Sequence, residues 1–195
     1  MPPSLSVENP KEPLRRDALL RRDALPQQVR AAAAQVIAAR AFPYASPGAT
    51  DSGFMPLKSE INPIPLMQKL ADAGARLALP VVRGRGKPLL MRAFAFGDRL
   101  VSGVWGIREP NSDAAEVLPD ILLVPLLAFD RRGHRIGYGA GYYDLTIASL
   151  RAQKRVLAVG LAFAVQEIPC VPATPSDARL DFVLTEREVI DCGSG

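Results

Sequence analysis

Between Leu123 and Asp144 the chain reads LVPLLAFDRRGHRIGYGAGYYD, with three glycines at alternate positions, Gly137, Gly139 and Gly141. Backbone without side chains lets successive amide N–H groups crowd around an anion. A helix starting just afterwards adds its positive N-terminal end. Asp144 closes the run, and an aspartate beside such a loop is placed to hold a magnesium ion bridging phosphate oxygens. The chemistry this predicts is capture of a nucleotide's phosphates. Neither common glycine signature accounts for it: GxxxxGKS/T is missing, and the position where GxGxxG needs its last glycine is Tyr142. Glycines spaced this way also occur in plain turns between a strand and a helix, so the spacing alone leaves both readings open.

Other polar groups stand apart from that run. Lys11 and Arg15 lie four apart and share one helix face. Such pairs are usually solvated, yet cations near a helix N-terminus are electrostatically disfavoured and need a reason to be there. Glu60 ends the tract Lys58-Ser59-Glu60 beyond a strand candidate, where a charge ordinarily just solvates a loop. Trp105 is the sole tryptophan, and its type suits either half-buried packing or stacking on a ligand. Asp177 and Asp181 bracket a turn in PSDARLDFVLTE, where either could be a cap; Asp181 is read as structural. His134, the only histidine, is expected in an exposed turn. No serine or cysteine has a triad-like setting, which argues against covalent hydrolase chemistry.

The long run resembles the signature of the 5-formyltetrahydrofolate cyclo-ligase (methenyltetrahydrofolate synthetase) family, P-x-x-x-F-D-x-x-G-x-R-x-G-x-G-x-G-Y-Y-D. Here it is met by Pro125, Phe129, Asp130, Gly133, Arg135, Gly137, Gly139, Gly141, Tyr142, Tyr143 and Asp144. The resemblance implies ATP and Mg2+ as cofactors and 5-formyltetrahydrofolate as substrate. By it, Lys11 and Arg15 contact ATP phosphates together with Arg135, Ile136, Gly137, Tyr138, Gly139, Ala140, Gly141, Tyr142 and Tyr143. Arg135 and Tyr142 are the implied catalytic residues, and Asp144 and Asp177 the implied magnesium ligands. Met55, Glu60, Trp105, Tyr138 and Tyr142 fall at folate-binding places. That assignment is chemically sensible, because a pterin presents adjacent N–H donors that one carboxylate accepts together, while an apolar neighbour covers the ring face. Three positions depart from the family pattern: Ala140 where glycine or lysine is common, Leu145 where arginine often follows the aspartate, and Ser176 where histidine usually precedes the second one. The implied reaction is ATP-dependent closure to 5,10-methenyltetrahydrofolate, ADP and phosphate through a phosphorylated formyl (imidate) intermediate.

The elements that must position these residues alternate along the chain. Residues 1–10 are Pro-rich and expected to be a disordered tail, with one α/β domain over 11–195. A helix follows that contains a tandem echo, LRRDAL at Leu14–Leu19 and again at Leu20–Leu25. Pro26 suits the first turn of a second helix running to about Arg40. Tyr44–Ser52 is expected to be an exposed loop and Gly53–Leu57 a short strand. Pro63–Ala73 reads as a helix closed by Gly74, Arg76–Val82 and Leu89–Phe96 as strands around a basic turn at Arg83–Lys87. Ile121–Pro125 and Arg155–Leu161 are apolar enough to be strands buried on both faces, joined through a helix at Tyr142–Leu150, with a last strand at Phe182–Leu184. This rhythm predicts an α/β three-layer sandwich with a mainly parallel, Rossmann-like sheet flanked by helices. Ligands of such sheets sit beyond the carboxyl ends of the strands, where the glycine loop falls.

Composition sets the outer bounds. Apolar residues make up 48% and charged residues 23%, which is globular rather than disordered. No apolar run is long enough for a bilayer, and MPPSLSVENP carries no charged-then-apolar export signal. Cys170 and Cys192 have no metal-ligand spacing, so reduced thiols in the cytoplasm are expected. The net charge of +4 fits an anionic small ligand, and the aromatics are not interleaved with basic runs as a nucleic-acid platform requires. The expectation is a monomer acting on small molecules, without nucleic-acid or membrane partners. The different-class alternative is a non-catalytic regulatory module that holds a nucleotide or anionic metabolite in the same loop.

Overall fold

The computed structural model describes residues 10–40 and 46–193, so the expected disordered tail, Pro10 excepted, lies outside the described residues. In chain order the helices are α1 (Lys11–Asp23), α2 (Gln27–Ala39), α3 (Ile64–Asp72) and α4 (Tyr142–Arg151). The strands are β1 (Thr50–Ser52), β2 (Arg76–Val81), β3 (Leu90–Phe94), β4 (Leu100–Ser102), β5 (Arg108–Pro110), β6 (Ile121–Pro125), β7 (Ala128–Phe129), β8 (Arg135–Ile136), β9 (Leu157–Leu161), β10 (Phe182–Leu184) and β11 (Val189–Asp191).

Seven strands form one sheet in the order β11-β10-β9-β6-β1-β2-β3. The inner pairings are parallel, and β3 and β11 close the two edges antiparallel. From β1 the chain moves outward to β2 and β3. It then returns to β6 on the other side of β1 and moves the opposite way through α4 to β9 and β10. The gap beyond the carboxyl ends of β1 and β6 is therefore a switch point, the crevice where open α/β sheets bind ligands.

Helices cover both faces. On one, Ala33, Ile37, Leu66, Met67 and Leu70 of α2 and α3 pack with Leu77, Leu79 and Ile121 of the sheet. On the other, Ile147 and Leu150 of α4 pack with Leu122, Val124 and Ala158. Burial on both sides is why Ile121–Val124 reads as an uninterrupted apolar run. Two small antiparallel ribbons, β4–β5 and β7–β8, stand outside the sheet, and α1 lies on the second, with Ala18 against Leu127, Ala128 and Ile136. No helix of the described residues is long and apolar enough to cross a membrane.

The first central strand departs from expectation. The strand is Thr50–Ser52 rather than Gly53–Leu57, and it is buried rather than an exposed loop, while Tyr44 lies outside the described residues. Thr-Asp-Ser is polar, so apolar patterning could not find it. Its place is fixed by neighbours on both sides, Leu77 and Ile121 flanking Asp51 in register. Asp51 is 1% exposed, and neither carboxylate oxygen has a hydrogen-bond partner among the described residues. Burial, with a smaller push from the Asp120 charge, raises its pKa from 3.8 to about 6. The folded chain therefore holds a proton that the unfolded chain has released, and stability falls as pH rises through that window. Above it the buried charge costs about 1–3 kcal/mol. Asp51→Val is expected to raise the melting temperature at pH 8, with the gain shrinking as pH drops through 6 towards 3.8. A gain that does not change with pH would contradict the account.

Candidate active site

The ribbon β7–β8 aims the glycine loop. Its turn is built on Asp130, which is fully buried and accepts hydrogen bonds from the amides of Arg132 (3.0 Å), His134 (3.2 Å) and Val171 (2.9 Å). Burial opposes the charge, but these donors and the Arg132 guanidinium win, holding the carboxyl below its usual range. Gly133 has φ of +83°, and a Cβ there would meet Leu180 O at 2.4 Å, so the turn admits no side chain. These contacts explain two signature residues as architecture. His134 is less open than expected: its Nδ1 is buried and has no hydrogen-bond partner among the described residues.

After β8 the residues Tyr138–Gly141 are exposed, Gly139 and Gly141 taking positive φ of +98° and +70°. Gly141 is the N-cap of α4, and the first helical bond runs from Leu145 N to Gly141 O (3.1 Å). The amides of Tyr142, Tyr143 and Asp144 thus stand at the open positive end of a helix, the arrangement that suits phosphate. The Ile136 side chain instead packs in the core, so it can offer a ligand only backbone, and that of Tyr143 packs partly buried against the core. Burial also pushes the Tyr143 hydroxyl pKa far up.

Helix α1 brings cations to this loop. Lys11, Arg15, Ala18 and Arg22 recur at spacings of four, three and four, and so form one helical stripe. Lys11 Nζ lies 2.6 Å from Asp177 Oδ2. Arg15 Nε donates to Gly137 O (3.0 Å), its guanidinium sits against Gly139, and Nη1 pairs with Glu12 at 2.9 Å.

Asp144 and Asp177 meet around Arg135. Arg135 is buried; Nη2 donates to Asp144 Oδ1 (2.7 Å) and Nη1 to Ala178 O. Ala178 N donates to the same Asp144 oxygen (3.0 Å). Burial pulls the Arg135 pKa down, against the charges of Asp144 and Asp177. With both terminal nitrogens engaged, Arg135 orients Asp144 rather than reaching into the open loop. Asp177 Oδ2 is held by Lys11 and by Thr174 N (2.6 Å) and Oγ1 (3.0 Å), and burial is outweighed by these donors, so its pKa lies low.

The second half of the site follows β1. Glu60 is 8% exposed, and its Oε2 accepts from Leu57 N at 2.7 Å. Burial raises its pKa, opposed by the Leu57 amide, the Tyr138 hydroxyl and the Arg22 charge. Met55 is half-buried against the α2/α3 core. Tyr138 links the halves: it belongs to the glycine loop, its ring lies 5.8 Å from the Arg22 guanidinium carbon, and burial with the Glu60 charge pushes its hydroxyl pKa far up. Trp105 sits at the corner between β4 and β5 with φ of +58° and is 66% exposed. Its ring lies edge-on to Tyr142 with centroids 6.0 Å apart. That exposure favours the stacking role over half-buried packing. A buried carboxylate that the sequence did not reveal, Glu109, holds the corner in place through Val82 N (3.2 Å) and lies against Gly103.

The residues thus converge on a cation-flanked glycine loop, of the kind that suits phosphate, with a carboxylate and aromatic residues beyond it. The sequence model of the 5-formyltetrahydrofolate cyclo-ligase family matches residues 7–186. The chain belongs to this family. It is 35% identical over 188 residues to the 5-formyltetrahydrofolate cyclo-ligase of Mycolicibacterium smegmatis, covering 92% of this chain and 95% of that one. To the Escherichia coli enzyme of the same name it is 34% identical, over 70% of this chain and 77% of that one. Among solved structures, the 5,10-methenyltetrahydrofolate synthetase of Aquifex aeolicus superposes with a TM-score of 0.78 at 27% identity, covering 95% and 94% of the two chains. The Mycoplasma pneumoniae synthetase shares the fold, with a TM-score of 0.70 at 21% identity over 91% and 99% of the two chains.

Within this family frame the signature residues divide clearly. Asp130 and Gly133 build the turn, and Gln166 clamps its base by donating to Leu126 O (2.8 Å) and Leu127 O (3.0 Å). Asp181 accepts from Ala158 N and Arg151, and so is structural. A further residue that sequence reading missed is Arg22. The LRRDAL echo pairs it with Arg16, which is exposed, whereas the helical stripe pairs it with Arg15 seven residues earlier. That spacing was the available signal. A separate concavity of about 410 Å³ lies at the opposite, amino ends of β1, β6 and β9, lined by Ser46, Ala49, Asp120 and Arg155.

Proposed function

We propose that the chain catalyses ATP-dependent cyclisation of 5-formyltetrahydrofolate to 5,10-methenyltetrahydrofolate, ADP and phosphate. The observation that carries this reading is that Tyr138 of the glycine loop lies over the buried Arg22, 5.8 Å from guanidinium carbon to ring centroid, and feels the Glu60 charge of the opposite pocket; a phosphoryl donor in the loop would then stand beside a carboxylate suited to a pterin. Family membership supports it over a non-catalytic binding module.

In the proposed course the formyl oxygen attacks the γ-phosphorus, the bond to the ADP oxygen breaks, and a phosphorylated imidate forms. Nitrogen 10 then adds to the formyl carbon, loses its proton, and phosphate departs with the former formyl oxygen. Phosphoryl transfer asks the protein for position and charge rather than covalent help. Lys11, Arg15 and the amides from Gly139 to Asp144 neutralise phosphate charge, while Arg135 keeps Asp144 aimed at the loop. Glu60 and Met55 hold the pterin, with Tyr138, Tyr142 and Trp105 forming its walls. The donor set suits magnesium: Asp144 Oδ2 and Asp177 Oδ1 are hard oxygens without protein partners among the described residues, so two carboxylates, phosphate oxygens and water could complete an octahedron. Bound there, the ion would neutralise charge on the phosphate oxygens.

The two cysteines are unpaired, which supports placing the protein in a reducing cytoplasm, and we read it as a monomer acting on small molecules.

The test is stoichiometry. ADP release should require 5-formyltetrahydrofolate and match methenyl product one for one; ATP hydrolysis independent of the folate would contradict the reading. Trp105→Ala is expected to raise the KM for the folate about 3–10-fold, as for loss of one aromatic wall, and to leave the ATP KM within twofold. A fall in kcat with unchanged KM, measured in the same assay, would remove Trp105 from the pocket.

A further inference from the structure

Arg22 is 1% exposed, the largest fully buried side chain of the described residues. Its Nε donates to Ser59 Oγ at 3.0 Å, and Ser59 in turn donates to Asp23. Nη1 and Nη2 are buried with no hydrogen-bond partner of good geometry among the described residues, although the Arg22 charge acts on the nearby Tyr138 hydroxyl. Leaving such donors unpaired is costly, and a buried cation more so. The Tyr138 ring covers the guanidinium, 5.8 Å from its carbon to the ring centroid, and the Glu60 charge lies close enough to feel it. A guanidinium needed only as a counter-ion for Glu60 would pair with it through the fork. Here the fork is left open beside the carboxylate, under a half-exposed tyrosine of the glycine loop.

We infer that Arg22 is a substrate-specificity residue that donates through Nη1 and Nη2 to the 4-oxo oxygen of the pterin, beside the two donors taken by Glu60. The inference rests on the proposed role of Glu60. The pterin edge reads amino group, N3–H, then 4-oxo oxygen, that is donor, donor, acceptor. A carboxylate flanked by a guanidinium offers the complement, acceptor, acceptor, donor. Tyr138 would move off the guanidinium as the pterin enters, which couples folate binding to the shape of the phosphate loop.

The test compares dissociation constants for 5-formyltetrahydrofolate and its 4-amino-4-deoxy analogue, measured by calorimetry without ATP in wild type, Arg22→Met, Arg22→Lys and Glu60→Gln. The analogue turns an N–H donor towards Arg22. It also changes N3, which Glu60 reads, so the decisive quantity is the change in the analogue-to-folate ratio between wild type and variant. Arg22→Met should weaken the 4-oxo folate about 10–100-fold and the analogue less than threefold, collapsing the ratio by about threefold or more. Arg22→Lys, which keeps the charge without the fork, should fall between. Equal weakening of both ligands in both Arg22 variants would overturn the inference and leave Arg22 a structural support. If Glu60→Gln leaves folate affinity unchanged, the pterin reading of Glu60 fails and the inference fails with it. Weakening by Glu60→Gln with an unchanged ratio in the Arg22 variants would sink the inference alone.

Discussion

Glu60→Ala is expected to lower kcat/KM for 5-formyltetrahydrofolate by about 100–1,000-fold, while the KM for ATP stays within threefold. The size follows from what the carboxylate does. In the proposed reading it accepts two donors from the pterin edge in a pocket where it is itself nearly buried, and sites built to pair buried donors discriminate strongly when the partner is removed. It also balances the buried Arg22 charge, so its loss leaves a cation uncompensated. The pH dependence carries an independent sign. Burial raises the Glu60 pKa against the Leu57 amide, Tyr138 and Arg22, and only the ionised form accepts both donors. Folate affinity should therefore be complete above that pKa and lost as pH falls through it, starting at a higher pH than for an ordinary carboxylate. In Glu60→Gln this acid limb should vanish. Equal losses for folate and ATP would return the residue to a structural role.

Asp144→Asn is expected to cut kcat about 100–1,000-fold and to move half-saturation by magnesium upward at least tenfold, at saturating ATP. In the proposed magnesium role, removing one of two carboxylates would weaken the cation's site sharply, and the charge lost would lie beside the transferring phosphoryl group. A second effect comes from Arg135, buried with Asp144 as its counter-ion at 2.7 Å. Asparagine keeps an oxygen for Arg135 Nη2 and Ala178 N, so the fold should survive with a stability loss of about 1–3 kcal/mol. The two effects separate: a lowered melting temperature with an unmoved magnesium requirement would make Asp144 a structural partner of Arg135 only.

How much of this was legible in the sequence depended on whether a signal was local. Ile121–Pro125 and Phe182–Leu184 emerged with their bounds because double burial demands apolar residues throughout. The start of α4 after Gly141 was visible because a loop of alternate glycines ends where side chains resume. Strand Thr50–Ser52 was hidden: its three polar residues are held by register with β2 and β6, which no local pattern records. The ribbons β4–β5 and β7–β8 were hidden too, being short and fixed by buried acids, Glu109 and Asp130.

The site was half legible. The cations Lys11 and Arg15 stood out as an anomaly at a helix N-terminus, and their neighbours across the fold, Asp177 and Gly137, give the reason. Arg22 lay on the same stripe one step further, but a hexapeptide echo masked a heptad relation. Arg135 was legible as a signature residue while its engagement with Ala178 was not, because that depends on a turn more than forty residues away.

The measurement that tests the central claim most directly is the absorbance of the methenyl product on mixing protein, 5-formyltetrahydrofolate and Mg-ATP, with each omitted in turn. Growth that needs all three is the predicted result. No growth from a folded protein that still binds ATP would contradict the account and leave a nucleotide-binding module in its place.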